Sequence, residues 1–84
     1  MTIGITMLKV LPGMEHSVYH ALRCKEGILY MCAVFGEYDF MLVLQAEGLN
    51  ELNGLIGGID DTKDVIATQM ILVNYKNEMV AQAC

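Results

Sequence analysis

The chain has 84 residues, and its ten acidic residues against five lysines and arginines give a formal net charge of −5 at pH 7. Because the few cations are scattered, they are unsuited to neutralising a row of phosphates, and we expect no direct nucleic-acid binding. Hydrophobic residues make up 55% of the chain, which is more than a small solvated domain usually carries, so we expect another subunit to cover part of the surface.

Signals for export or membrane insertion are missing from the sequence. No apolar run approaches the roughly 18 residues that a membrane helix needs, and the N-terminus lacks the basic region and cleavage site of a signal peptide. The three cysteines, Cys24, Cys32 and Cys84, are odd in number and have no CxxC spacing, so no disulfide framework is predicted. We therefore expect a cytoplasmic protein with free thiols.

The first part of the chain predicts a strand followed by a helix. Residues 3–11 are rich in β-formers and stop at Pro12-Gly13, a pair that ends a strand and opens a turn. A helix is predicted from Met14 to about Lys25. Its apolar face comprises Met14, Val18, Ala21 and Leu22, and its opposite face comprises His16, His20 and Cys24.

The middle of the chain predicts a β-hairpin. Two uncharged runs, residues 28–35 and 40–46, flank the polar segment Gly36-Glu37-Tyr38-Asp39. Gly36 can take the positive φ of a tight turn, and Asp39 can accept hydrogen bonds from backbone N–H groups. The loop is either a turn and nothing more, or a site where exposed N–H groups, an aromatic ring and a carboxylate hold a small zwitterion.

The last part of the chain predicts a second helix and a final strand. The apolar stripe of the helix comprises Leu49, Leu52, Leu55, Ile56 and Ile59. Its three glycines, Gly54, Gly57 and Gly58, each lower helix propensity by about 1 kcal/mol relative to alanine, so we expect the helix to fray or end early. A polar loop over residues 60–64 leads to a strand from Val65 to about Asn74. We assign residues 1–76 to a single domain and residues 77–84 to a C-terminal tail.

The order β-α-β-β-α-β predicts an α+β, ferredoxin-like fold with a four-stranded antiparallel sheet and both helices on one face. Such a sheet usually alternates apolar and polar residues, but residues 30–35 and 65–73 are largely apolar on both faces. Since the helices cover only one face, something must cover the other, most simply the same sheet of a second copy. The sequence therefore predicts a homodimer.

Catalytic and cofactor motifs are not found in the sequence. Ser17 is the only serine, no cysteine has an evident triad partner, and there is no glycine-rich phosphate loop. His16, His20 and Cys24 follow each other at i, i+4 and i+8, but residues eight apart on a helix lie about 12 Å apart. At best two of them could bind one ion with further ligands, so we interpret the row as a solvent-facing side and predict no metal and no cofactor.

The segment Gly36-Glu37-Tyr38-Asp39 resembles the G-[DE]-[YF]-D signature of the ligand-binding (RAM) domain of the leucine-responsive regulatory protein/AsnC family. The resemblance extends over residues 4–75. The strand end at residues 9–13, the helix end Ala21-Leu22-Arg23, the helix start at residues 49–53 and the strand at 65–73 follow the family's order and spacing. The resemblance implies a dimeric α/β barrel in which two sheets face each other, with dimers assembled further into rings.

The resemblance also implies an effector site for an amino acid. Carried over to this chain, the site comprises Gly36, Glu37, Tyr38 and Asp39 in the loop, with Thr68 and Met70 on the last strand near a neighbouring subunit's loop. Many relatives have a second threonine or a similar polar residue where this chain has Met70, which leaves the identity of the effector open.

The family's DNA-binding members carry a helix-turn-helix before this domain, whereas the first strand here begins at residue 3. We therefore expect a stand-alone effector-binding regulatory domain that is not an enzyme, does not bind DNA itself, and modulates a full-length relative by co-assembly.

One alternative is a small dimeric α/β-barrel enzyme of the cofactor-independent monooxygenase or isomerase type. Such enzymes usually place histidines inside the sheet–helix cleft, whereas both histidines here are predicted on the outer side of a helix. Another alternative is a purely structural oligomerisation module.

Overall fold

Six elements make up the part of the chain that the structure describes, residues 1–74 of a computed structural model. They are β1 (Thr2–Val10), α1 (Glu15–Leu22), β2 (Ile28–Ala33), β3 (Phe40–Ala46), α2 (Leu49–Asp60) and β4 (Val65–Asn74). The strands form one antiparallel sheet in the order β2-β3-β1-β4, which confirms the predicted ferredoxin-like fold. The predicted boundary at residue 76, the tail over residues 77–84 and Cys84 lie outside the described residues.

β1 lies inside the sheet and determines which residues face the helices. It pairs with β3 from Thr2 opposite Ala46 to Leu8 opposite Phe40, and it pairs with β4 along its other side. Its even-numbered residues are buried, whereas its odd-numbered residues are partly or fully exposed. This alternation follows from the two-residue period of a strand, so the even-numbered residues form the helix side of the sheet.

The hydrophobic core lies between the sheet and the two helices. Its fully or nearly fully buried members are Leu8, Val10, Val18, Leu22, Phe40, Leu42, Leu44, Leu52 and Ile59. Since α1 and α2 contribute to the same cluster, both helices cover the same face of the sheet. Thr6 is completely buried in this layer, and its hydroxyl donates a hydrogen bond of 3.0 Å to the carbonyl oxygen of Gln69, so its polar group is satisfied.

The opposite face of the sheet, which we call the open face, is largely apolar. Register and burial assign to it Ile3, Ile5, Met7 and Lys9 of β1, Met41, Val43 and Gln45 of β3, Tyr30 and Cys32 of β2, and Ala67 and Gln69 of β4. No helix of residues 1–74 packs over these side chains. The prediction that both sheet faces are largely apolar is therefore confirmed for the described strands.

α1 differs from its prediction in length and in the residues that face the core. It ends at Leu22 rather than near Lys25, because a tight turn follows in which the Lys25 N–H donates to the Leu22 carbonyl oxygen at 3.0 Å. Val18 and Leu22 are buried as predicted, but Ala21 is exposed. Tyr19 packs against the core instead, with its ring stacked on that of Phe40 at a centroid distance of 6.1 Å.

The prediction that α2 ends early is wrong, since the helix continues through all three glycines to Asp60. Ile59 is completely buried near its end and anchors the last turn to the core. The Asp61 N–H donates to the Gly57 carbonyl oxygen at 3.0 Å, and the Thr62 hydroxyl donates to that of Gly58 at 2.9 Å. These tertiary and capping contacts outweigh the low helix propensity of glycine.

Two further features of the described residues bear on membrane crossing and on disulfide formation. Neither α1 nor α2 has the length and apolar character that a membrane crossing requires. Cys24 is exposed and Cys32 is partly buried, and both thiols are free.

Candidate functional site

The loop over residues 34–39, which we call the hairpin loop, joins β2 to β3. It is closed by a hydrogen bond of 3.0 Å from the Val34 N–H to the Asp39 carbonyl oxygen. Gly36 has a φ of +105°, and a Cβ at this position would meet no atom within 4 Å. The predicted positive φ is therefore confirmed, and the space beside the Gly36 backbone is open.

Asp39 fastens the hairpin loop to β1. Its N–H donates to the Leu8 carbonyl oxygen at 2.8 Å, and its carboxylate oxygen Oδ2 accepts a hydrogen bond of 2.8 Å from the Val10 N–H. The prediction that the carboxylate accepts a hydrogen bond from a backbone N–H is confirmed, but the donor is 29 positions away rather than within the turn. Asp39 thus has a structural role in placing the loop.

Tyr38 connects the hairpin loop to β4 across the open face. Its hydroxyl hydrogen-bonds with the side-chain oxygen Oε1 of Gln69. Gln69 pairs with Met7 in the sheet, so the bond reaches over the intervening strand β1. The sequence did not lead us to Gln69. A signal was present, because Gln69 is a polar residue between the predicted site residues Thr68 and Met70, and neighbouring residues of a strand point to opposite faces of the sheet.

Thr68 and Met70 lie on the helix side of β4, not on the open face. Thr68 pairs with Leu8, and its hydroxyl donates to the carboxylate oxygen Oδ1 of Asp60 at the end of α2. Met70 is partly buried and packs against the core beside Gly4. Within one subunit, the structure therefore brings the four loop residues together and separates them from the two on β4.

A pocket of about 410 Å³ lies between α1 and the end of the hairpin, and we call it the α1 pocket. Its lining comprises Glu15, His16, Tyr19, His20, Ala33 and Phe40. His16 and His20 are exposed as predicted, with ring centroids 6.3 Å apart. In residues 1–74, no three His, Cys, Asp or Glu side chains are grouped to hold a metal ion. Sequence periodicity could not reveal this pocket, because its walls come from elements that are distant in the chain.

A second pocket of about 400 Å³ lies at the other end of the sheet. Its lining includes Gly27, Leu29 and the carboxylates Glu26 and Glu47.

The chain resembles known proteins in its fold rather than in its sequence. No protein-family model matches it, and no curated protein matches its sequence. Among solved structures it is similar to hypothetical protein PHS023 from Pyrococcus horikoshii, with 19% identity and a TM-score of 0.82 over 90% of this chain and 92% of that one. It is also similar to FFRP-DM1, with 20% identity and a TM-score of 0.83 over 89% of this chain and 100% of that one.

A longer structural neighbour is an AsnC family transcriptional regulator from Agrobacterium tumefaciens. It is 4% identical, with a TM-score of 0.76, and the match covers 89% of this chain and 50% of the regulator. At such identities these similarities establish the fold. The resemblance in the sequence to the leucine-responsive regulatory protein/AsnC family is thus confirmed as a likeness of fold, one that this chain shares with FFRP-DM1 and with half of an AsnC family regulator.

Proposed function

We propose that this chain is an amino-acid-binding regulatory domain of the leucine-responsive regulatory protein/AsnC type, which works as a homodimer and is not an enzyme. The fold and the hairpin motif support this assignment. The main support for the assignment is the open face, because this face gives the domain a surface for assembly.

The open face supports a dimer built sheet against sheet. Ile5, Met7 and Val43 lie in its apolar part, and the neighbouring strands cover them only partly. A chain of this length buries only about 60% of its unfolded surface, so exposed apolar area is costly for it. Two such sheets stacked at a spacing of about 10 Å cover each other's side chains. That arrangement is a dimeric α/β barrel.

The hairpin loop supports an effector site at a subunit boundary. Hydrogen bonds between Asp39 and β1 and between Tyr38 and Gln69 hold the loop on the sheet, and a binding group needs such rigid support. The N–H groups around Gly36 can hold the carboxylate of an amino acid, and the Tyr38 ring can cover its side chain. Exposed Glu37 offers a carboxylate to the ammonium group, together with Asp39.

Thr68 and Met70 complete the proposed site from a different subunit. They lie on the helix side of β4, whereas Tyr38 reaches across the open face. The loop of a neighbouring subunit is therefore needed to bring all six proposed residues together. An amino-acid effector bound there would couple ligand binding to the arrangement of subunits.

The charge of the domain supports a role without direct DNA contact. With a net charge of −5, the domain repels a polyanion. A full-length relative of the same fold could supply DNA binding by pairing with this chain through the open face. A small barrel enzyme is less well supported, because Leu8, Leu42 and Leu44 fill the space between the sheet and the helices, and both histidines lie outside it.

Calorimetric titration with each of the twenty amino acids tests the effector site, using two matched glycine variants. Gly36 and Gly13 both have positive φ, and a Cβ at either position meets no atom within 4 Å. Alanine at either position therefore adds a similar strain of about 1–2 kcal/mol. We expect at least one amino acid to bind, Gly36→Ala to weaken it by about tenfold or more, equivalent to ~1.4 kcal/mol, and Gly13→Ala to leave affinity unchanged. No heat with any amino acid, or equal affinities of the two variants, would contradict the proposal.

A further inference from the structure

Phe35 projects from the hairpin loop without packing on its own domain. Its relative exposure is 104%, so its ring is as accessible as in an extended chain. β2 has already ended at Ala33, and the backbone turns at Gly36 immediately afterwards. An aromatic side chain buries a large area when it enters a pocket and is a frequent anchor of protein–protein contacts. Phe35 is therefore a candidate anchor for a partner.

The α1 pocket has the size and lining to receive a phenyl ring. Its volume of about 410 Å³ exceeds the roughly 150 Å³ that is enough to hold benzene. The stacked rings of Tyr19 and Phe40 contribute apolar surface, and the small side chain of Ala33 leaves room on the hairpin side. Since Phe35 of the same chain is fully exposed, it does not fill this pocket itself.

We propose that Phe35 inserts into the α1 pocket of a second copy of this chain, whose own Phe35 inserts into the α1 pocket of the first. The anchor and the pocket lie at the same outer edge of the sheet, formed by β2. Ala33 lines the pocket only two positions before Phe35, so a two-fold axis beside the hairpin brings both pairs into contact. This contact is separate from the open face and does not rest on the proposed effector.

Hydrogen-bond donors in the lining of the α1 pocket match the acidic hairpin loop of a second copy. Glu37 follows Phe35 on the loop, and His16 and His20 line the pocket, so imidazole N–H groups can donate to that carboxylate. Glu15 is the acidic group in the same lining. Arg23 lies nearby, with its guanidinium carbon 5.9 Å from the centre of the Tyr19 ring.

Two complementary variants test the contact by analytical ultracentrifugation of the full chain. Phe35→Ala removes the anchor and keeps the pocket, whereas Ala33→Lys keeps the anchor and places a charge in the pocket. If circular dichroism shows that Ala33→Lys is unfolded, His20→Trp serves as a second blocking variant, because His20 is at an exposed helical position. Leu29→Ala is the matched control, because it removes an exposed apolar side chain from β2, the strand that leads into the hairpin loop.

Each variant alone should lose the contact made through Phe35, with Phe35→Ala weakening that contact by at least about 30-fold, as for an aromatic anchor residue. An equimolar mixture of Phe35→Ala and Ala33→Lys should recover part of it, because one intact anchor then meets one intact pocket. Leu29→Ala should associate like the wild type. The proposal is overturned if Phe35→Ala associates as well as Leu29→Ala, or if the mixture associates no better than its components.

The same measurements in a Val43→Glu background separate this contact from the open-face dimer. Val43→Glu places a charge on the open face, so any remaining association should depend on Phe35. If the open-face dimer is wrong, Val43→Glu leaves the wild-type mass unchanged and the effect of Phe35→Ala persists. If the Phe35 contact is wrong, association in either background is independent of Phe35.

Discussion

Asp39 links the hairpin loop to β1 through a partly buried hydrogen bond of 2.8 Å with the Val10 N–H. Asp39→Ala leaves that N–H unpaired, and we expect the free energy of unfolding to fall by about 1–3 kcal/mol. Asp39→Asn should lose less, because its amide oxygen can accept the same bond. Urea denaturation of both variants measures the difference. Equal losses, or an unchanged alanine variant, would show that the bond does not hold the loop.

The hydrogen-bond partners of Asp39 and Tyr38 could not be predicted from the sequence. An aspartate in a turn is expected to accept a backbone N–H, and Asp39 does so. Its partner Val10 could not be predicted, because it depends on how β1 and β3 align. The same holds for Tyr38 and Gln69, which meet only once β4 lies beside β1.

The glycines of α2 lower the stability of that helix. A Cβ at Gly54 or Gly57 would meet no atom within 4 Å, so alanine fits at both positions. We expect Gly54→Ala and Gly57→Ala each to raise the free energy of unfolding by about 1 kcal/mol. Gly27→Ala is a contrasting control, because Gly27 has a φ of +94° and its Cβ would lie 2.8 Å from Leu55 Cδ2.

Urea denaturation should therefore give opposite signs for the α2 variants and for Gly27→Ala. A loss of stability in Gly54→Ala would mean that this face of α2 is not open to solvent as the structure has it.

At the scale of elements, the order of helices and strands was predictable, whereas their ends were less so. Uncharged runs and turn residues identified the strands, because both depend on local composition. The ends of α1 and α2 depend on tertiary contacts instead. Ile59 is buried and extends α2 past its glycines, and the turn after Leu22 closes α1 early.

The open face predicts the oligomeric state of the whole molecule. We expect the wild-type chain to have the mass of at least two chains at micromolar concentration, and Val43→Glu to reduce it, because a charge would be buried between the sheets. Light scattering measures both. Leu49→Glu, at an exposed position at the start of α2, is the matched control and should leave the mass unchanged. A monomeric wild type, or equal effects of the two variants, would contradict the sheet-to-sheet dimer.

The apolar character of the open face could be predicted from the sequence, because strands without alternation need cover on both sides. The α1 pocket and the exposure of Phe35 could not be predicted in this way. Both depend on where the hairpin ends relative to α1, which no local pattern encodes.

The position of β1 inside the sheet also has a consequence for synthesis on the ribosome. β1 is made first, but one of its two neighbours is β4, and Ile3 pairs with Asn74. While residues 65–74 remain in the exit tunnel, one edge of β1 is unpaired and the Thr6 hydroxyl lacks the carbonyl of Gln69. Such pairing between distant segments is slow, and unpaired apolar edges bind chaperones or aggregate. A nascent chain stalled at this stage should therefore remain sensitive to protease until β4 emerges.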